Sequence, residues 1–137
     1  MTPSRLMVDA GPLIALFHKA DPDHQTAVEA FRHLSEAGAR LLCPMPVVFE
    51  VYKWLLFHGG AKAARRGLEG MLEALEVVPL GPEDLEALRL FLFIRPSWRG
   101  TLEDGSVALL ALRLKVPVWT FNYRDLGGFA GLIFWNP

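Results

Sequence analysis

Cysteine is almost missing from this chain: Cys43 stands alone among 137 residues. A single thiol excludes an intrachain disulfide and leaves no cysteine pair for a zinc cluster. Long apolar runs are missing too. The longest candidate, residues 85–94, is interrupted by Glu86 and Arg89, and a membrane helix needs about 20 apolar residues. The opening MTPSRLMVDAG has no basic segment followed by a long apolar core, so we expect no signal peptide, no membrane contact and a reduced, cytoplasmic setting. Excess charge of either sign is lacking, the net charge being −1. A module that binds nucleic acid by charge alone shows a basic footprint, and this chain has none overall. A nuclease is less firmly excluded, because bound cations bring positive charge to a site themselves. No G-x-S-x-G, P-loop or G-x-G-x-x-G pattern occurs, which argues against a serine hydrolase, an NTPase and a dinucleotide-binding dehydrogenase.

What is present is apolar. Hydrophobic residues make up 52% and charged ones 21%, a balance incompatible with general disorder and rich enough in apolar side chains to favour a homodimer or another hydrophobic partner. The length fits one domain, residues 1–137. Strand signals at 5–8, 40–44, 76–80, 116–121 and 132–135 alternate with helical stripes at about 13–19, 22–37, 47–57, 61–75, 82–95 and 101–115. Gly38 and the pair Gly59-Gly60 stop helices, and Gly11-Pro12 and Gly81-Pro82 start them. Strands alternating with helices predict an α/β fold with a parallel sheet covered on both faces.

Four carboxylates and an amide stand out on that plan. Asp9 follows the first strand, and Asn122 and Asp125 follow the strand ending at Phe121. In open parallel sheets that edge carries the ligand site. Glu50 shares a helix face with Val47 and Trp54, and Asp104 with Val107, Ala108 and Ala111. A carboxylate in an apolar stripe is costly unless something satisfies it. Several of them together point to a shared cation, and an all-oxygen donor set selects Mg²⁺ or Mn²⁺ over Zn²⁺. Each residue also has a plainer reading: Asp9 as a turn residue before Gly11-Pro12, Glu50 as a solvated residue at the stripe's margin, Asp104 as the partner of Thr101 in a capping box, and Asp125, within Arg124-Asp125-Leu126-Gly127, as a member of a loop salt bridge.

The motifs VDAGPLIALF at 8–17, PVVFEV at 46–51 and LEDGSVALLALRLKVPVWTFNYRDL at 102–126, with the ending GLIFWNP, resemble in order and spacing the PIN-domain ribonucleases of the VapC toxin type. The resemblance implies a three-layer α/β/α sandwich on a central, mostly parallel sheet of four to five strands. It also implies Mg²⁺- or Mn²⁺-dependent endoribonuclease activity on RNA and a VapB-like antitoxin as partner. The family's acidic positions fall on Asp9, Glu50 and Asp104, which are the catalytic and metal-binding candidates. Its fourth acidic position falls on Asn122, with Asp125 one short step on as a further metal ligand. Thr120 reads first as a β-favouring strand residue and second as an orienting hydroxyl.

Other features carry less. Asp21, Asp23, His18 and His24 look like a metal cluster, but Asp21-Pro22 is a helix start and His24 belongs in an exposed first turn. His33 and His58 read as solvated and Cys43 as core. Lys62, Arg65 and Arg66 make a basic stripe, and Arg95 and Arg99 flank the loop before Asp104; these are solvated faces or contacts to RNA phosphates. The helix at 47–57 adds Phe49, Tyr52 and Leu56 to its core stripe, as a subunit or antitoxin interface would require. Two other functions stay open: a non-catalytic PIN-like RNA- or protein-binding module, which Asn122 favours, and a phosphotransfer domain with Asp9 as nucleophile, which Gly11 disfavours because that chemistry wants an aspartate there.

Overall fold

The computed structural model describes residues 1–137. Its elements run β1 (Arg5–Val8), α1 (Ala10–Phe17), α2 (His24–Glu36), β2 (Arg40–Pro44), α3 (Met45–Ala74), β3 (Glu76–Val78), α4 (Pro82–Ile94), α5 (Leu102–Leu114), β4 (Val118–Trp119) and α6 (Tyr123–Leu126). The four strands are all parallel, in the order β3-β2-β1-β4. Right-handed crossovers put α1, α2 and α3 on one face of the sheet and α4 and α5 on the other. The three-layer α/β/α arrangement is the expected one.

Burial explains the strands. Leu6, Met7 and Val8 of β1 are fully enclosed, as are Cys43 of β2 and Val118 and Trp119 of β4, so the central strands read as apolar runs, not alternations. Helix α3 is broken at Gly60, whose φ of 88° and ψ of 172° lie outside helical space. Only glycine adopts that conformation cheaply, and the two helices expected on either side of it are one element with a sharp bend.

Some edges differ from expectation. Strand β4 keeps only two of its six expected residues, because Pro117 has no N–H for a ladder and the Thr120 hydroxyl takes the Asn122 N–H at 2.9 Å, a local side-chain bond that competes with strand pairing. The strand expected at 132–135 is a single bridge from Val118 to Phe134, held by Val118 N–H to the Ile133 carbonyl at 2.9 Å and Trp135 N–H to the Val118 carbonyl at 2.8 Å. A two-residue partner strand offers no further ladder groups. His24 is not in an exposed turn: it is half-buried, with Nδ1 2.7 Å from the Ala15 carbonyl. The strand order reverses between β1 and β4, and a crevice for ligands opens at such a point, beyond the carboxyl ends of the strands.

Candidate metal centre

Asp9 leaves β1 at that reversal and becomes the N-cap residue of α1, with extended backbone and no side-chain capping bond. Its carboxylate is released for other work. Oδ2 accepts a 2.7 Å hydrogen bond from the Thr120 hydroxyl, and the same hydroxyl oxygen accepts the Asn122 N–H at 2.9 Å. Thr120, wholly buried, therefore links the ends of β1 and β4 through its side chain: the orienting role is the one it performs.

Asp104 enters from the first turn of α5. The capping box with Thr101 is present: Thr101 N–H donates to Asp104 Oδ2 at 3.0 Å, and Asp104 N–H to Thr101 Oγ1 at 3.1 Å. The capping reading and the site reading thus describe one residue, since the box fixes Oδ2 and leaves Oδ1 without a hydrogen bond. Asn122 Nδ2 adds a 3.4 Å contact to Asp104 Oδ2 and a 3.0 Å bond to Asp125 Oδ2. Asp125, buried, is gripped by Arg124. The Arg124 guanidinium, and after it the Asn122 amide, hold the Asp125 carboxyl below its ordinary range.

Glu50 comes from the first half of α3 and is half-buried. Its Oε1 and the Oδ1 of Asp9 are enclosed with no hydrogen-bond partner. Burial pushes the Asp9 carboxyl up, and the Asp104 charge adds to this. Burial likewise raises Glu50 to about 7, with the charges of Asp9, Glu103 and Asp104 contributing. The residues brought together at this edge are therefore Asp9, Glu50 and Asp104, with Glu103 as a neighbour that the helical stripe did not single out because it lies off the apolar face. Asn122 and Asp125 border the group and bond to each other and to Arg124.

No three carboxylate, imidazole or thiolate groups close on one point as a finished cage. The donor set nonetheless fits a hard cation. Two buried carboxylate oxygens without partners are expensive in free energy, and a divalent ion satisfies both with the oxygen chemistry that Mg²⁺ and Mn²⁺ prefer.

The raised carboxyls have a consequence for stability. A group whose folded pKa lies above its unfolded value of 4.5 costs nothing while protonated and destabilises the fold as it ionises. In chelator, the melting temperature is therefore expected to fall as pH rises from about 4.5 to about 7, with a shallower fall in Glu50→Gln. Asp84 and Asp125 do not blur this window: Arg113 and Arg124 hold them low, so their stabilisation is lost only at more acid pH. Equal slopes in the two proteins would refute the assignment.

The sequence from residue 6 to residue 127 matches the PIN-domain model. No curated protein matches the chain by sequence. Among solved structures, the chain is similar to Mycobacterium tuberculosis VapC20, a sarcin-ricin loop cleaving toxin, at 18% identity over 96% of this chain and 99% of that one, with a TM-score of 0.81. It is similar to VapBC2 from Rickettsia felis, solved bound to a DNA fragment from its promoter, at 15% identity over 97% and 98%, TM-score 0.75. A toxin–antitoxin complex from Klebsiella pneumoniae follows at 17% identity over 93% and 95%, TM-score 0.62. At these identities the structural likeness is one of fold, and the match that spans most of the sequence settles membership: the chain belongs to the PIN-domain family.

Proposed function

We propose that this protein is a cytoplasmic endoribonuclease, dependent on Mg²⁺ or Mn²⁺, that hydrolyses RNA phosphodiester bonds as the toxin of a toxin–antitoxin pair. The observation that carries the reading is the pair of buried, unpartnered carboxylate oxygens, Asp9 Oδ1 and Glu50 Oε1, at the edge where the strand order reverses. Asp9, Glu50 and Asp104 would hold the ion. When bound, it supplies an acidified water and neutralises charge on the phosphoryl group. The chain's own residues do the positioning: Thr120 fixes Asp9, and Thr101 and Asn122 fix Asp104 through one oxygen, leaving the other towards solvent. Asn122 and Asp125 complete the polar rim.

A VapB-like antitoxin and a second copy of the chain are the proposed protein partners. Phe49 and Phe57 of α3 support this, being 70% and 73% exposed, and the similar structures include VapBC2 of Rickettsia felis and a toxin–antitoxin complex from Klebsiella pneumoniae. No helix is long and apolar enough to cross a membrane.

The test is cleavage of labelled RNA with and without divalent ion. We expect cutting with Mg²⁺ or Mn²⁺, a loss of at least about 100-fold in chelator on the scale of a removed electrostatic catalyst, and recovery when the ion returns. A second reading, a non-catalytic binding module, draws on Asn122, whose amide faces Asp104 where a carboxylate would favour another cation. Tight RNA binding with the ion present and no turnover would select it and overturn the first.

A further inference from the structure

We infer that Arg95, Arg99 and Arg124 form a seat for a backbone phosphate of the RNA strand, adjacent to the bond that is cut. The inference rests on the ribonuclease reading and adds where the strand lies.

A cavity of about 450 Å³ opens between the loop after α4 and helix α6, lined by these arginines with Trp98 and Asp125. Three guanidinium groups face one carboxylate there, in a protein whose net charge is −1. Neither Arg95 nor Arg99 forms an ion pair within the chain. Both are nonetheless oriented: Arg95 lies over the Phe91 ring at 5.8 Å, and Arg99 Nη1 donates to the Pro96 carbonyl at 2.9 Å. A guanidinium fork that lacks an internal carboxylate suits bidentate binding of a phosphate.

The loop that presents them is locked. Trp98 packs edge-on against Phe91 and Phe129 at 5.2 and 5.6 Å, and its Nε1–H donates to the Asp125 carbonyl at 2.8 Å. The Trp98 ring can lie over residue 100 because that residue is glycine: a Cβ there would overlap the ring at Cζ2. Asp125 joins this pocket to the acidic centre. Its carbonyl holds Trp98, its carboxylate holds Arg124, and both it and Asp104 receive the Asn122 amide. A strand whose scissile phosphate meets Asp9, Glu50 and Asp104 would reach these arginines across Asp125, which borders both sites. With no global positive charge to attract RNA, this local concentration is where binding energy and salt dependence should reside.

The test compares wild type with Arg95→Gln/Arg99→Gln in RNA cleavage over a series of salt concentrations. We expect kcat/KM to fall roughly 10- to 100-fold through KM, with kcat within about twofold. The log–log salt slope should become shallower by about 1.4, the value for two single-strand phosphate contacts. Arg95→Lys/Arg99→Lys should recover most of the slope and only part of the affinity. Equal kcat/KM and slope in wild type and the glutamine variant would overturn the seat while leaving the ribonuclease intact. Loss of binding to an acidic partner peptide, with RNA kinetics unchanged, would give the pocket to a protein and also overturn it. If wild type neither binds nor cuts RNA, the ribonuclease reading itself has failed, and the seat with it.

Discussion

Asp9→Asn is expected to yield a folded protein whose RNA cleavage is lower by about 10³-fold or more, beyond the loss from removing one preorganised donor. The substitution keeps shape and removes charge. An asparagine oxygen can still accept the Thr120 hydroxyl that Asp9 Oδ2 accepts at 2.7 Å, so the link between β1 and β4 survives. The other oxygen, now enclosed and unpartnered, becomes an amide nitrogen. That group is also unsatisfied, but it carries no charge, and burial already penalises the ionised Asp9. In chelator, stability should therefore stay within about 1–2 kcal/mol of wild type, the cost of one unsatisfied polar group. Mn²⁺ should raise the melting temperature of wild type, because an ion that binds only the folded state stabilises it by mass action, and should do little for the variant. Cleavage as fast as wild type would remove Asp9 from the centre. Loss of activity together with a collapse of stability would assign it a structural role.

Much of this was legible in the chain because the signals were local. Arg5–Val8 and Arg40–Pro44 are apolar runs next to turn residues, Gly59-Gly60 interrupts one helical stripe, and Thr101 stands three residues before Asp104; each maps onto an observed element or cap. The acidic edge was legible for a different reason: Asp9 and Asn122 both follow strands, and a parallel sheet sends all such positions to one side. What escaped depended on long-range contacts. Thr120 in isolation is only a β-favouring residue, and its hydroxyl acquires a role from a partner 111 positions away. Helix α6 is four residues long, too short for a periodic stripe. The ending near Phe134 has a strand's composition, yet the length of its pairing was set by what β4 had left to offer. Trp98 has no motif at all; its place becomes visible only beside Gly100 and the Asp125 carbonyl.

On the proposed metal-dependent reading, Asn122→Asp is expected to change the number of ions bound at this edge from one to two. The amide orientation follows from its neighbours: Oδ1 accepts the Asp125 N–H at 3.3 Å, so Nδ2 faces the carboxylates of Asp104 and Asp125. Reversed, it would set one oxygen against two others. As it stands, the amide hydrogens and the Arg124 guanidinium neutralise the Asp104–Asp125 side, the part a second cation would play, while the orphaned oxygens of Asp9 and Glu50 leave the other side to one ion. An aspartate here replaces two donated hydrogen bonds by repulsion among three carboxylates. In chelator the variant should lose about 2 kcal/mol, given partial exposure, and melt roughly 6–8 °C lower. Saturating Mn²⁺ should erase most of that deficit, since binding at 100 times Kd returns about 2.7 kcal/mol. Calorimetry should count one tight Mn²⁺ per wild-type chain and two per variant chain. Two in the wild type, or one in both, would show that the amide does not stand in for a cation.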